Sequence, residues 1–374
     1  MKNSKINVLH VIDKLSMDGV NPSSCTKLFA EWIPRFDKNA FNIKVCTLRD
    51  PDPAGKLLED LKIPVFYVNK GKVSPGNIKE ISHLIEAENI DIVHLHGYSA
   101  ANFGRIAARK EGIKNIVHEH AILKVLPHQY LADYFLRNQT DVGVAVCDAV
   151  KQFMISGRKV PEEKIKVIFN GIDLKKYNPV SSEEIAGLRK EFKIQKDFRI
   201  VGTITRLRKE KGNHVFIQAM PGILEKDQKI IFMIVGEGSE KENLQNLARK
   251  YNVLNHIIFT GFRMDVNALL HLFDIKVIPS LTEGFPLAFL EAMASGKAIV
   301  ASAVGSIEEI SIDGETALLV PSNDAEQLMQ KIVLLLENED LRKNLMHNAY
   351  KEVQNYSIEA NVSALKELYF SLIQ

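Results

Sequence analysis

Short runs of aliphatic and β-branched residues recur along this chain, separated by stretches in which apolar positions return every three or four residues. Ile6 to Ile12, Ile43 to Thr47, Val65 to Val68, Ile92 to His96, Ile116 to Glu119, Val142 to Val146 and Ile165 to Phe169 read as strands. Segments such as Ile78 to Glu88 and Asn102 to Lys110 carry the helical period between them. Strand and helix in alternation predict a parallel sheet with helices on both faces. The pattern pauses after Asn170-Gly171-Ile172-Asp173, where Asn178-Pro179 and the charged stretch that follows are weakly apolar. It restarts with strands at Ile200 to Thr205, Ile230 to Val235, Ile257 to Phe259, Ile275 to Pro279, Ala298 to Ala301 and Ala317 to Val320. Two doubly wound α/β halves are therefore expected: residues 1–178, an interdomain segment 179–198, and residues 199–355. The last helix, in residues 356–374, is free to pack on its own half or to return to the first.

Composition narrows the picture without deciding it. A chain of 374 residues with 46% hydrophobic content can build two or three cores. A formal charge of +2 gives no global reason to expect a nucleic-acid partner. Cys25, Cys46 and Cys147 are widely spaced, which argues against a disulfide framework or a thiolate zinc site and fits a reducing, cytoplasmic setting. The apolar run after Met1 is broken by Asn7, His10 and Asp13, so it reads as a first strand and not as a signal peptide. The longest apolar runs are too short to span a bilayer. A peripheral position at the inner face of a membrane stays open, with Arg105, Arg109, Lys110 and Lys114 as basic residues that could meet anionic lipid or simply form a solvated face.

Candidate chemistry gathers where strands end. Glu283 to Ala294 carries two carboxylates, Glu283 in a turn-rich loop and Glu291 about two turns further along, in the helix that Pro286 can open. Unpaired N–H groups at such a helix mouth suit an anion or a sugar hydroxyl. After the strand Ile200 to Thr205 come Arg206, Lys211 and Gly212, a set able to cradle a diphosphate: Arg206 offers a fork of donors and Lys211 a mobile point charge. Gly236-Glu237-Gly238 lacks the third glycine of a dinucleotide fingerprint and reads as a tight strand-to-helix turn. His94-Leu95-His96 and His118-Glu119-His120 are each a His-x-His pair at a strand end. They fit metal ligands of a hydrolase, neutral ligand contacts, or satisfied core imidazoles.

Taken in order, these residues resemble the GT-B glycosyltransferases, and more narrowly the retaining family 4. The resemblance rests on Asp91-Ile-Val-His-Leu-His-Gly97, His120, Val167-Ile-Phe-Asn-Gly-Ile-Asp173, Arg206 with Lys211-Gly212, Val235-Gly-Glu-Gly238, Gly261-Phe-Arg263, and Pro279-Ser-Leu-Thr-Glu-Gly-Phe-Pro286 leading to Glu291. It implies a GT-B fold, two Rossmann-like domains facing across a cleft, with the acceptor on the first and the nucleotide sugar on the second. It also implies transfer from a nucleotide-diphosphate sugar to a carbohydrate or lipid-linked acceptor, with retention and without metal or cofactor. By the same resemblance Arg206 and Lys211 bind the diphosphate, Glu291 the ribose, and Glu283 with the backbone of Gly284, Phe285, Pro286 and Leu287 the transferred sugar. Phe262 and Arg263 hold the base, His120 contacts the sugar, and Gly19 approaches the phosphates. Two departures stand out: a single glycine pair reduced to Gly19-Val20, and Ser306 where a second glycine is common. A sugar-nucleotide epimerase, a non-catalytic sugar-nucleotide binder and, more remotely, an oxidoreductase are the competing classes.

Overall fold

The computed structural model describes residues 5–16, 19 and 21–373. Two compact units divide the chain, residues 1–170 with 358–374, and residues 171–357. In the first, seven parallel strands, β1 (Ile6–Ile12), β2 (Phe41–Thr47), β3 (Val65–Tyr67), β4 (Ile92–His96), β5 (Lys114–Glu119), β6 (Val142–Ala145) and β7 (Ile165–Val167), lie in the order β3-β2-β1-β4-β5-β6-β7. In the second, six strands, β8 (Arg199–Ile204), β9 (Ile230–Val235), β10 (Ile257–Gly261), β11 (Ile275–Ile278), β12 (Ala298–Ser302) and β13 (Leu318–Val320), follow the order β10-β9-β8-β11-β12-β13. Strand order reverses beside β1 in one sheet and beside β8 in the other. The carboxyl ends of β1 and β4, and of β8 and β11, are thus the places where such sheets bind ligands.

The strands read as continuous apolar runs because helices cover both faces. Every residue of β4, including His94 and His96, is buried, and so is every residue of β11, including Lys276. Register is pinned by the same device in both units. The Asp91 carboxylate, just before β4, accepts the Asn7 amide of β1 at 2.7 Å, and Asp274, just before β11, accepts the Ile200 amide of β8 at 2.7 Å. Helix starts are capped as their sequences suggest: Ser23 Oγ accepts the Thr26 amide at 3.1 Å, and Asp324 Oδ1 accepts the Gln327 amide at 2.9 Å.

Two features of the packing were not expected from the pattern, and a third decides between the two places left open for the last helix. The chain passes between units at Asn170/Gly171, and Ile172 is already tied to the second unit by its amide bond to the Tyr356 carbonyl at 3.0 Å. Helix Ser182–Glu191, in the stretch read as an interdomain segment, packs Leu188 and, just beyond it, Ile194 into a core with Met233, Leu269 and Phe273. The final helix, Ile358–Ile373, belongs to the first unit, where Asn361 donates to the Phe169 carbonyl at 2.5 Å and Tyr369 is fully buried. The basic helix face also needs correcting. Arg105 is completely buried, paired with Asp133 at 2.6 Å, while Arg158 reaches Asp133 and Glu119 at 3.3 and 3.0 Å. Its charge is consumed inside the fold and is not offered to a lipid surface.

Candidate functional site

In the second unit, β8 delivers the chain into a strap that is fastened to the loop after β11. The strap turns through a short 3-10 segment, Lys209–Lys211, and ends at Gly212. Glu210 accepts the Leu281 amide at 2.8 Å. Gly212 has φ +64, and a Cβ there would stand 1.8 Å from the Pro279 carbonyl oxygen, so only glycine lets the two backbones meet. The consequence is chemical. Lys211 Nζ is placed 2.6 Å from Glu283 Oε1, and Ser280 Oγ donates to the same oxygen at 2.7 Å.

Glu283 itself is held from the other side. Gly305, with φ +57, brings its backbone so close that a Cβ would lie 2.1 Å from the Glu283 carbonyl oxygen, and the Ser306 amide bonds the Gly284 carbonyl at 3.2 Å. The loop then enters helix Leu287–Ala294, whose N-cap, Pro286, supplies no side-chain cap. The first-turn N–H groups of that helix therefore keep the partial positive charge expected of a helix start. Glu291 of the same helix is near enough to Lys276 in β11 to act on its charge. Burial pushes the Lys276 ammonium down to about 7, opposed by the attraction of Glu291. Ser280 and Lys276 were missed as site neighbours by the sequence reading, although a lysine inside the apolar run Ile275-Lys-Val-Ile278 is a signal that could have drawn attention to the second.

The other expected residues of this unit take different positions. Arg206 follows β8 directly and is exposed. Phe262, just after β10, leaves 59% of its surface exposed, an apolar ring presented to solvent. Arg263 beside it is engaged: its guanidinium holds Asp265 at 2.6 and 2.8 Å, pairs with Glu191, and lies over the Phe192 ring. It fastens β10 to the helix Ser182–Glu191, and any hold on a ligand would compete with these bonds. The Gly236-Glu237-Gly238 turn is structural: Gly236 donates to the Gly261 carbonyl at 2.9 Å and Glu237 accepts the Leu207 amide at 2.9 Å.

In the first unit, both His-x-His pairs face one another across β4 and β5 and are joined by His10 of β1. His118 and His120 stack at 4.1 Å, His94 and His96 at 4.5 Å, and His10 lies 4.7 Å from His94. Burial, with repulsion from the neighbouring rings, lowers the affinity of the array for extra protons. His10 is lowered to about 3, and His94, His96 and His118 fall well below their ordinary value. His120, which keeps partial exposure where the other four rings are buried, is lowered by burial to about 4. All five are neutral at pH 7. Two trios, His10 with His94 and His96, and His96 with His118 and His120, bring donor atoms within 4.8 Å of one another, the spacing a metal ion could use. Gly19 is exposed with φ +83, and its amide donates to Ser16 Oγ at 3.1 Å; Val20, its partner in the reduced pair, lies outside the described residues.

Comparison with known proteins decides the family. The model for Glycosyltransferase Family 4 matches residues 27–176, and that for glycosyl transferases group 1 matches residues 185–352. An uncharacterized glycosyltransferase of Methanocaldococcus jannaschii is 30% identical over 287 residues, 72% of this chain and 71% of its own. The chain belongs to the family 4 GT-B glycosyltransferases. A relative matching almost end to end, the UDP-Gal:alpha-D-GlcNAc-diphosphoundecaprenol alpha-1,3-galactosyltransferase of Escherichia coli, is 28% identical over 99% of this chain and 98% of its own. In fold, the chain is similar to Anabaena HepE, solved in complex with UDP, with a TM-score of 0.86, 22% identity, and coverage of 98% of this chain and 100% of that one. A glycosyltransferase acting in glycan or glycolipid synthesis is thereby established as its class, and the GT-B architecture expected from the motifs is the one observed.

Proposed function

We propose that this glycosyltransferase moves a hexose from a nucleoside-diphosphate sugar to a hydroxyl of a lipid-linked or glycan acceptor, with retention at the anomeric carbon. The observation that carries this reading is the convergence of Lys211, Glu283 and Ser280 beside a helix start, at the carboxyl end of β8 and β11 where Arg206 also emerges. Arg206 and Lys211 supply positive charge to the departing diphosphate, and the helix start adds a partial charge of the same sign. Such a set stabilises the leaving group without calling for a metal. Glu291 binds the ribose, Glu283 with the Gly284 to Leu287 backbone binds hydroxyls of the transferred sugar, and Phe262 with the Arg263 backbone holds the base. His120 contacts the sugar from the first unit, and Gly19 approaches the phosphates.

Retention follows a front-face route in this reading, with a leaving phosphate oxygen helping to deprotonate the acceptor. Glu283 suits hydroxyl binding better than nucleophilic attack because its Oε1 already accepts from Lys211 and Ser280. Trapping a glycosyl adduct on Glu283 would sink that assignment, and restoration of chelator-lost activity by a divalent ion would sink the metal-independent one.

Two observations support the acceptor class. The Escherichia coli relative is named for a UDP-galactose donor and a diphosphoundecaprenol-linked acceptor. Along residues 121–136, Leu123, Leu131 and Phe135 stand 55%, 57% and 74% exposed, an apolar strip beside which Lys159 and Arg137 lie over Tyr130 and Tyr134. Apolar side chains with basic neighbours suit the surface of an anionic membrane. Among the described residues no helix is long and apolar enough to cross one, so contact would be peripheral. A thermal-shift panel of nucleotide sugars, followed by NMR of the transfer product, tests the whole reading. A UDP-hexose is expected to raise the unfolding midpoint by mass action, and an inverted anomeric centre in the product would refute retention.

A further inference from the structure

Five imidazoles and one phenol of the first unit are joined end to end. His118 Nδ1 lies 3.0 Å from His94 Nε2, His94 Nδ1 lies 2.7 Å from the Tyr369 hydroxyl, and that hydroxyl lies 3.2 Å from His10 Nε2. The chain continues from His10 Nδ1 to His96 Nε2 at 2.9 Å and from His96 Nδ1 to His120 Nε2 at 3.0 Å. Its two end atoms, His118 Nε2 and His120 Nδ1, are buried and have no hydrogen-bond partner among the described residues.

Proton counting gives this chain a property that no single pair has. A neutral imidazole carries one N–H and one bare nitrogen, and a phenol carries one O–H. The five rings are neutral, and burial holds Tyr369 protonated. Six groups therefore place six protons on five bonds and two ends. Each bond takes one proton, so a ring that donates toward His120 obliges the next ring to do the same. Every interior ring is entered at one nitrogen and left at the other, always in the same sense. Only two arrangements satisfy all five bonds: all five histidines as Nδ1–H tautomers, or all five as Nε2–H tautomers.

We propose that Tyr369, on the C-terminal helix, is a positioning residue for glycosyl transfer: its hydroxyl joins the histidines into one shared tautomer and so fixes whether His120 offers the sugar a donor or an acceptor. The proposal rests on the role given to His120 above. The Nδ1–H arrangement is the favoured one. Its alternative buries a His118 Nε2–H next to Trp32, whose ring lies parallel at 5.8 Å and whose own Nε1–H is already a buried donor without a partner among the described residues. Orphaned buried N–H groups are costly, and the His118 end is fully enclosed. His120 Nδ1 is also buried, but its residue keeps partial exposure where His118 has none, so a sugar oxygen has the shorter way to a His120 N–H.

The test uses the full chain labelled with 15N-histidine, without substrate, in spectra that separate protonated from bare ring nitrogens, with His120→Gln among the variants that assign the signals. The wild type is expected to show His10, His94, His96, His118 and His120 all as Nδ1–H. Tyr369→Phe keeps the ring packing but cuts the chain into a two-ring and a three-ring piece, so His120 should become a mixture of tautomers. In the same variant kcat is expected to fall about tenfold while the donor KM stays within about twofold. Phe36→Leu loosens the contact between Phe36 and Tyr369, which stack at 5.7 Å, and should lower stability while leaving tautomers and kcat unchanged. Mixed tautomers among the five rings of the wild type overturn the proposal. So does a Tyr369→Phe protein with wild-type tautomers and kcat, or stoichiometric Zn²⁺ binding that shifts these signals. If the tautomers behave as expected and His120→Gln transfers sugar at the wild-type rate, the role of His120 falls and the hydrogen-bonded chain remains as a purely structural one.

Discussion

The pairing of Lys211 with Glu283 makes a prediction in which stability and activity can be separated. At 2.6 Å and an effective dielectric of about 20, the gross attraction is about 6 kcal/mol, and desolvating two ions cancels most of it. The side chains retain 18% and 10% exposure, between an exposed pair, worth about 0–1 kcal/mol, and a fully buried one, which costs about 3–5 kcal/mol to break. Lys211→Met, which strands a mostly buried carboxylate, should therefore destabilise the second unit by about 2–3 kcal/mol. Glu283→Gln should cost about 1 kcal/mol, because its amide oxygen can still accept from Ser280. The double variant should be destabilised by about 1–2 kcal/mol less than the sum of the two, measured by urea unfolding in a double-mutant cycle. Donor turnover adds a second readout. Lys211→Met should lose about one to two decades in kcat/KM, the worth of a charge-assisted phosphate contact. Additive stabilities, or a Lys211→Met enzyme as fast as the wild type, would refute this account of the strap.

Arg206→Ala should lose about 10- to 100-fold in kcat/KM for the nucleotide sugar, against no measurable loss for Arg249→Ala on an exposed helix, and equal activities would remove Arg206 from the site. Gly305→Ala places a side chain against the Glu283 carbonyl at φ +57, so it should abolish the donor-induced thermal shift while the histidine signals of the first unit stay in place. Stability should fall as pH drops from about 6.5 toward 5, since the unfolded histidines take up protons that the buried rings, at about 3 for His10 and about 4 for His120, refuse. The unfolded state binds more protons throughout that window, which makes the unfolding free energy rise with pH. A slope below one proton in unfolding free energies measured across it would contradict five buried neutral imidazoles.

Much of this protein was written in local pattern. The β-branched runs and their spacing determined the strands and their alternation with helices, because a parallel strand covered on both faces must be apolar along its whole length. Pro286 before an apolar helix and Arg206 after a strand marked the ligand-binding edge for the same local reason: strand ends and helix starts are readable within a few residues. Only tertiary structure decided what those residues touch. That Lys211 meets Glu283, that Arg263 is spent on Glu191 and Asp265, and that Arg105 is an interior ion follow from backbones brought together across long sequence separations. The largest such separation joins Tyr369 to His10, 359 positions apart. No local pattern announces that a tyrosine on the last helix will close a chain of histidines begun on the first strand, since its helical period says only that one face is buried.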